Sequence, residues 1–287
     1  MTYCSYPEYE IYRRFAGSLY DTGFTGNVIF FIQPENEDNL LRLKKEYENV
    51  RYQICHEIEY HIHSYRHRLY SDFLKSHPVN SDYIFLCDSK DLFFQRNIEE
   101  YPYDKDIDLY VFQEGQSIGD CKYNRKWLKI KDKSFSKTVE DRQVLCAGTT
   151  LGTTAGILKY LEVMNQNILD DPRSQDGRIY RDQCIHNYIV YDDQLRDLNL
   201  KMCSNDDNLV NTLTCGHKEV DENNQIVNSR GEVSWICHQY NRMSKEQMAK
   251  ISVKYGFDKH WDAAHSLSRV KHPKKRQIFP RFFKRGT

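Results

Sequence analysis

Between Thr2 and Cys87 apolar strand-like runs alternate with helical periods, and this alternation most limits what the chain can fold into. The runs are Thr2-Tyr3-Cys4-Ser5-Tyr6, residues 27–32, Val50–Ile54 and Tyr83–Cys87. Residues 8–20 place Ile11, Phe15 and Leu19 at helical spacing, residues 36–47 do so with Leu40, Leu41 and Leu43, and residues 59–75 with Ile62, Leu69, Phe73 and Leu74. Strands joined through helices run parallel, because the crossover returns the chain to the same end of the sheet. The expected fold is therefore α/β: a doubly wound, mostly parallel sheet flanked by helices. The run 83–87 reads as a strand buried on both faces.

That strand ends abruptly in Asp88-Ser89-Lys90-Asp91, and a second apolar run, Leu92-Phe93-Phe94, follows at once. Open α/β sheets bind their ligands beyond the carboxyl ends of the strands. Clustered carboxylates there are hard oxygen ligands, suited to magnesium or manganese, which also bind phosphate oxygens. The expectation is that Asp88 and Asp91 hold a metal ion that grips a diphosphate. Strand-end acids also cap the turn that follows them, so the pair alone does not decide the matter.

Hydrophobic residues at 39% and aromatics at 13% describe a globular chain that can bury a substantial core. The 21 tyrosines and 14 phenylalanines suit either a core or platforms for sugars. The net charge of zero hides an asymmetry. Residues 269–287 hold eight Lys or Arg and no acid, leaving 33 basic against 41 acidic residues elsewhere. An acidic body with a basic, Phe-bearing tail does not suit nucleic acid. Residues 1–268 read as one domain, and the tail as a solvated terminus or a peripheral contact with anionic lipid or a phosphorylated acceptor. Nine cysteines include no C-x-x-C pair and read as small buried hydrophobes in a reducing compartment. No long apolar segment opens the chain, and a cytoplasmic location is expected.

Downstream, Cys146-Ala147-Gly148-Thr149-Thr150-Leu151-Gly152 reads as a strand end of small residues where Gly148 and Gly152 admit close approach of a ligand. Asp182-Gln183 opens a helix with Ile185 and Ile189 inward. Asp182 would gain from the helix dipole, act as general base toward an acceptor hydroxyl, or stabilise developing positive charge. His238 ends an apolar strand and could complete a metal site. His56, His61, His63 and His67 read as a solvated face, whereas Arg66 can pair with phosphate. Tyr123 and Trp127 sit among basic residues and could stack on an acceptor sugar.

In chain order these pieces resemble the GT-A-type glycosyltransferases. The resemblance rests on Arg66-x-x-x-Tyr70-x-x-Phe73-Leu74, a strand, then Asp88-Ser89-Lys90-Asp91-Leu92-x-Phe94-Gln95. It continues through Cys146-Ala147-Gly148 with Gly152, Asp182-Gln183 with Asn187, and His238-Gln239-Tyr240-Asn241-Arg242, with Asn where the family usually has Asp. It covers residues 1–242 and implies a nucleotide-sugar donor, UDP- or GDP-linked, over the carboxyl ends of the strands. Thr2, Tyr3 and Cys4 would lie against the nucleoside, with Arg66 and Gly148 also on the donor side. Asp88 and Asp91 would coordinate Mn2+ or Mg2+, His238 would be the third ligand, and Asp182 would sit nearest the reacting sugar carbon. The family's metal motif is D-x-D. Here the acids are three apart, so either both carboxylates bind the metal, or Asp91 alone does and Asp88 hydrogen-bonds the ribose or the donor sugar.

The function so implied is metal-dependent transfer of a sugar to a glycan or glycolipid. A nucleotidyltransferase making nucleotide sugars would want a Gly-rich basic loop after the first strand, and Ser5-Tyr6-Pro7-Glu8 has neither feature. A strand-end aspartate phosphatase would want D-x-D-x-T/V, from which Asp88-Ser89-Lys90 departs. The intact Asp88, Asp91, Asp182 and His238 also count against a non-catalytic glycan-binding relative.

Overall fold

The alternation is realised at the expected places in a computed structural model, which describes residues 1–251 apart from Pro78 and Gly216. The boundary at 268 and the basic tail lie outside the described residues. First come β1 (Thr2–Tyr3), α1 (Tyr9–Tyr20), β2 (Val28–Ile32), α2 (Glu37–Glu46), β3 (Val50–Ile54), α3 (Ile62–Ser76) and β4 (Tyr83–Cys87). Then follow β5 (Leu92–Phe94), β6 (Leu109–Ser117), α4 (Lys122–Lys131), α5 (Lys133–Thr138), β7 (Gln143–Thr153), α6 (Thr154–Asp170) and α7 (Asp182–Tyr191). The last elements are β8 (Leu200–Cys203), β9 (Val210–Thr212), β10 (Glu219–Val220), β11 (Ile226–Val227), β12 (Ile236–His238) and α8 (Lys245–Ile251).

Strands β1, β2 and β3 pair in parallel, with Thr2 opposite Phe30 and Ile32 opposite Ile54. The Met1 nitrogen donates to the Phe85 carbonyl at 2.6 Å, and the Cys87 N–H to the Met1 carbonyl at 3.1 Å. This is a parallel pattern, and it joins the first sheet to a second in the order β4-β7-β6-β8. There β7 runs antiparallel to both β4 and β6, while β6 and β8 are parallel. Being reversed, β7 brings residues 143–148 to the end of the sheet where β4 finishes. A third small sheet sets β12 between β5, antiparallel, and β9, parallel.

Helices cover both faces, and β2 shows why its sequence is apolar throughout. Phe30 packs with Tyr12 and Phe15 under α1, ring centroids 5.6 Å apart in each pair, whereas Phe31 points to the other face against Tyr70 of α3 at 5.0 Å. In β6, Tyr110 and Phe112 join the first core, and Leu109 and Val111 the second. Fully burying such side chains is worth about 1.5–3 kcal/mol each. Eight of the nine cysteines are buried and all nine are free; Cys215 is exposed. Among the described residues no helix is long and apolar enough to cross a membrane.

Helix α3 departs from its sequence pattern. Ser64, Tyr65, Arg66, His67, Tyr70, Ser71 and Leu74 are buried, while the expected inward residues Ile62, Leu69 and Phe73 are only half-buried. Apolar periodicity misplaces this face because Ser64, Arg66 and His67 find polar partners elsewhere in the chain.

Candidate functional site

The apolar strand β4 delivers Asp88 to the carboxyl end of the sheet, and β5 turns away just beyond Asp91. Leu92 pairs with His238, the last residue of β12, and the Gln239 N–H donates to the Asp91 carbonyl at 2.7 Å. Gln239 takes a left-handed conformation, φ 59°, which ends β12 at this point. The register therefore sets His238 beside both acids. Its Nε2 lies 3.5 Å from an Asp88 oxygen and 3.6 Å from an Asp91 oxygen, and ligand atoms of all three residues fall within 4.8 Å of one another. His238 is fully buried, whereas the Asp88 and Asp91 side chains are 36% and 20% exposed, so the cluster opens on its carboxylate side.

The residues fit a divalent cation. The His238 Nε2 is buried without a hydrogen-bond partner, although it is aimed between two carboxylates. Two carboxylates and an imidazole form a donor set for a divalent cation. On the opposite side of the ring, Nδ1 lies 3.5 Å from the Cys146 sulfur. Burial keeps Cys146 a thiol, its pKa pushed up to about 11. Against the opposing effect of burial, the Asp88 and Asp91 carboxylates raise the His238 imidazole well above its ordinary value.

Arg66 crosses from α3 to bind three groups. It donates to Asp88, to Asp182 at 2.6 Å and to the Ala147 carbonyl at 3.1 Å. The His67 Nε2 sits 3.4 Å from the same Asp182 oxygen. Burial works against charge on Asp88 and Asp182, yet the Arg66 guanidinium holds both carboxyls well below the usual carboxylate range, helped by His238 at Asp88 and by His67 at Asp182. Two expectations change here. Arg66 is buried and bound to acceptors within the protein, so it organises the acids rather than reaching for phosphate. His67 is buried against Asp182 and is no part of a solvated face.

The expected strand end at residues 146–152 lies inside β7, where the strand bulges. Between Val111–Thr150 and Gln113–Leu145 the register slips, two steps on β6 facing five on β7. Helix α7 satisfies the backbone released there. Gln183 accepts from the Ala147 N–H at 2.8 Å and donates to the Leu145 carbonyl at 2.7 Å. Asn187 accepts from the Leu145 N–H and donates to its carbonyl, both at 2.8 Å. Gly148 is necessary at the bulge, since a Cβ there would lie 2.6 Å from an Asp88 oxygen and 2.6 Å from the His238 ring. Gly152 instead packs against the Asp108 carbonyl, a structural contact and no ligand approach.

The remaining expected residues divide. In and just after β1, Thr2 and Cys4 are fully buried, so only their backbone could meet a nucleoside, whereas Tyr3 is half-exposed and its carbonyl accepts from Ser89 at 3.1 Å. Tyr123 and Trp127 lean on each other on α4, and no hydrogen bond or ring contact among the described residues ties them to the acids. Glu114 carried no expectation. This nearly buried acid in an apolar strand accepts from Gln183 at 3.2 Å, and burial raises its carboxyl. An acid inside the run Leu-Tyr-Val-Phe-Gln-Glu was the available signal. The chain matches no model of a known protein family and no curated protein.

Proposed function

We propose that the chain is a metal-dependent glycosyltransferase that takes a sugar from a UDP- or GDP-linked donor and passes it to a glycan or glycolipid. The observation that carries this reading is the meeting of Asp88, Asp91 and His238 at the carboxyl end of β4. The order of motifs shared with GT-A-type transferases supports it. Asp88, Asp91 and His238 would hold Mn2+ or Mg2+, and such an ion when bound stabilises the negative charge of a departing diphosphate.

The chain's own groups supply the rest. Arg66 fixes Asp88 and Asp182 relative to each other, so neither has to reorganise during reaction. One Asp88 oxygen is taken by Arg66, while Asp91 has no ion pair with a lysine or arginine among the described residues, which makes Asp91 the more available ligand. Asp182 stays charged in a buried setting. A carboxylate held that far down is a weak proton acceptor but an effective partner for positive charge developing on a sugar.

A thermal-shift series with UDP- and GDP-sugars, with and without manganese, tests this proposal. One donor should stabilise the protein selectively and only with manganese, by about 2.7 kcal/mol at a hundred times its Kd. Asp91→Ala should fold normally and lose that response. A response kept in full by Asp91→Ala, or none with any donor, would overturn the proposal.

A further inference from the structure

Helix α4 carries a surface that the transferase site does not use. From Lys122 to Lys131 it holds five Lys or Arg and no acid. At 100° per residue, Lys122, Arg125, Lys126 and Lys129 fall on one face, and all four are exposed. None of the four makes an ion pair among the described residues. Lys131, by contrast, turns inward to Asp171 at 3.4 Å and lies over the Tyr188 ring at 5.1 Å. The flanking acids are engaged: Asp120 accepts from the Ser117 hydroxyl at 2.7 Å, and Asp132 caps α5 through the N–H groups of Ser134 and Phe135.

Beside the cationic face runs a second exposed stripe of Tyr123, Trp127 and Ile130. Tyr123 is 64% exposed, the largest exposure among the big hydrophobic side chains, and Trp127 and Ile130 are half-exposed. The third side of the helix, with Asn124 and Leu128, is buried in the protein. A solvated basic face does not need an aromatic and aliphatic stripe next to it. Such a stripe beside lysines and arginines suits the boundary between headgroups and acyl chains, where amphipathic Tyr and Trp settle while cations meet anionic headgroups. The Tyr123 and Trp127 rings lie 5.8 Å apart at 38°, so they cover part of each other's faces and are poor platforms for flat stacking on a base or sugar.

We infer that the outer face of α4 docks the protein on an anionic lipid surface. The inference stands on α4 alone. Joined to the transferase reading it selects a lipid-anchored acceptor over a free glycan, because α4 follows the β6 strand that carries Glu114 to Gln183 and packs along α7, which begins at Asp182.

Full-length protein is titrated with phosphatidylcholine vesicles and with phosphatidylcholine–phosphatidylglycerol vesicles, and binding is read by co-sedimentation. The wild type should bind the anionic vesicles and not the zwitterionic ones. At about fivefold per cation near the surface, the triple variant Arg125→Ala, Lys126→Ala, Lys129→Ala should lose about a hundredfold in affinity. Tyr123→Ser should weaken binding without altering the preference for anionic lipid. Both variants change exposed side chains, and an unchanged thermal midpoint establishes that they fold. Anionic vesicle binding that the triple variant retains in full, or no vesicle binding by the wild type, would overturn the inference. So would binding to a duplex oligonucleotide, lost in the triple variant, without vesicle binding. The donor thermal shift is a separate readout, so either proposal can fail alone.

Discussion

At Gly148 the backbone passes so close to Asp88 and His238 that a methyl group has no place. The Asp88 N–H is also bound to the Gly148 carbonyl at 2.9 Å, so β7 cannot simply back away. Gly148→Ala should therefore displace one of the two side chains instead of the strand. Displacing a metal ligand or its support typically costs 10–100-fold in affinity. We expect manganese affinity, measured by isothermal titration on folded Gly148→Ala, to fall within roughly that range. Unchanged affinity would mean that the Asp88–His238 approach is irrelevant to metal binding.

At the scale of elements, the bulge in β7 and the side chains of α7 form one device. A bulged strand loses ladder partners, and buried N–H and C=O groups left without partners cost about 1–3 kcal/mol each. Gln183 and Asn187, one helical turn apart, bind Leu145 and Ala147 in place of the lost ladder. Asn187→Leu keeps much of the volume but leaves the Leu145 N–H unsatisfied. It should destabilise the protein by about 3 kcal/mol in urea unfolding. A loss below about 0.5 kcal/mol would show that the bulge does not depend on this strap. The same device explains how α3 buries a polar face: Arg66 reaches the Ala147 carbonyl exposed by the bulge and the acid that opens α7.

Across the whole molecule, buried histidines set the response to acid. Burial pushes His186 down to about 3, with the Tyr160 hydroxyl 2.9 Å from its Nδ1. Burial lowers His61, His63 and His67 as well, while His238 is shifted the other way. An unfolded histidine takes up a proton near pH 6.5 that folded His186 refuses until about pH 3. The unfolded state thus binds more protons in this window, so stability falls as pH drops from 6.5 toward 3, at up to about 1.4 kcal/mol per pH unit for one such group. The depressed carboxylates Asp88 and Asp182 contribute only below the ordinary Asp range. Urea midpoints from pH 7 to pH 4 should decline in the wild type and decline less in His186→Phe. Equal slopes would remove His186 from the explanation.

The alternation of β1 to β4, the strand-end position of Asp88 and Asp91, and the helices over 9–20, 37–46 and 182–191 were legible in the sequence. Periodicity and turn chemistry are local, and a strand apolar on both faces announces its own burial. His238 was legible as a candidate ligand from its place at the end of an apolar strand and from its motif, but its distance from Asp91 depends on the pairing of β12 with β5. The tertiary structure alone decided that Arg66 and His67 face inward, that residues 146–148 bulge out of β7, and that Asp182 is an engaged carboxylate. A polar helix face reads as solvated until the partners that neutralise it are known, and here those partners come from β4, β7 and α7, far away in sequence.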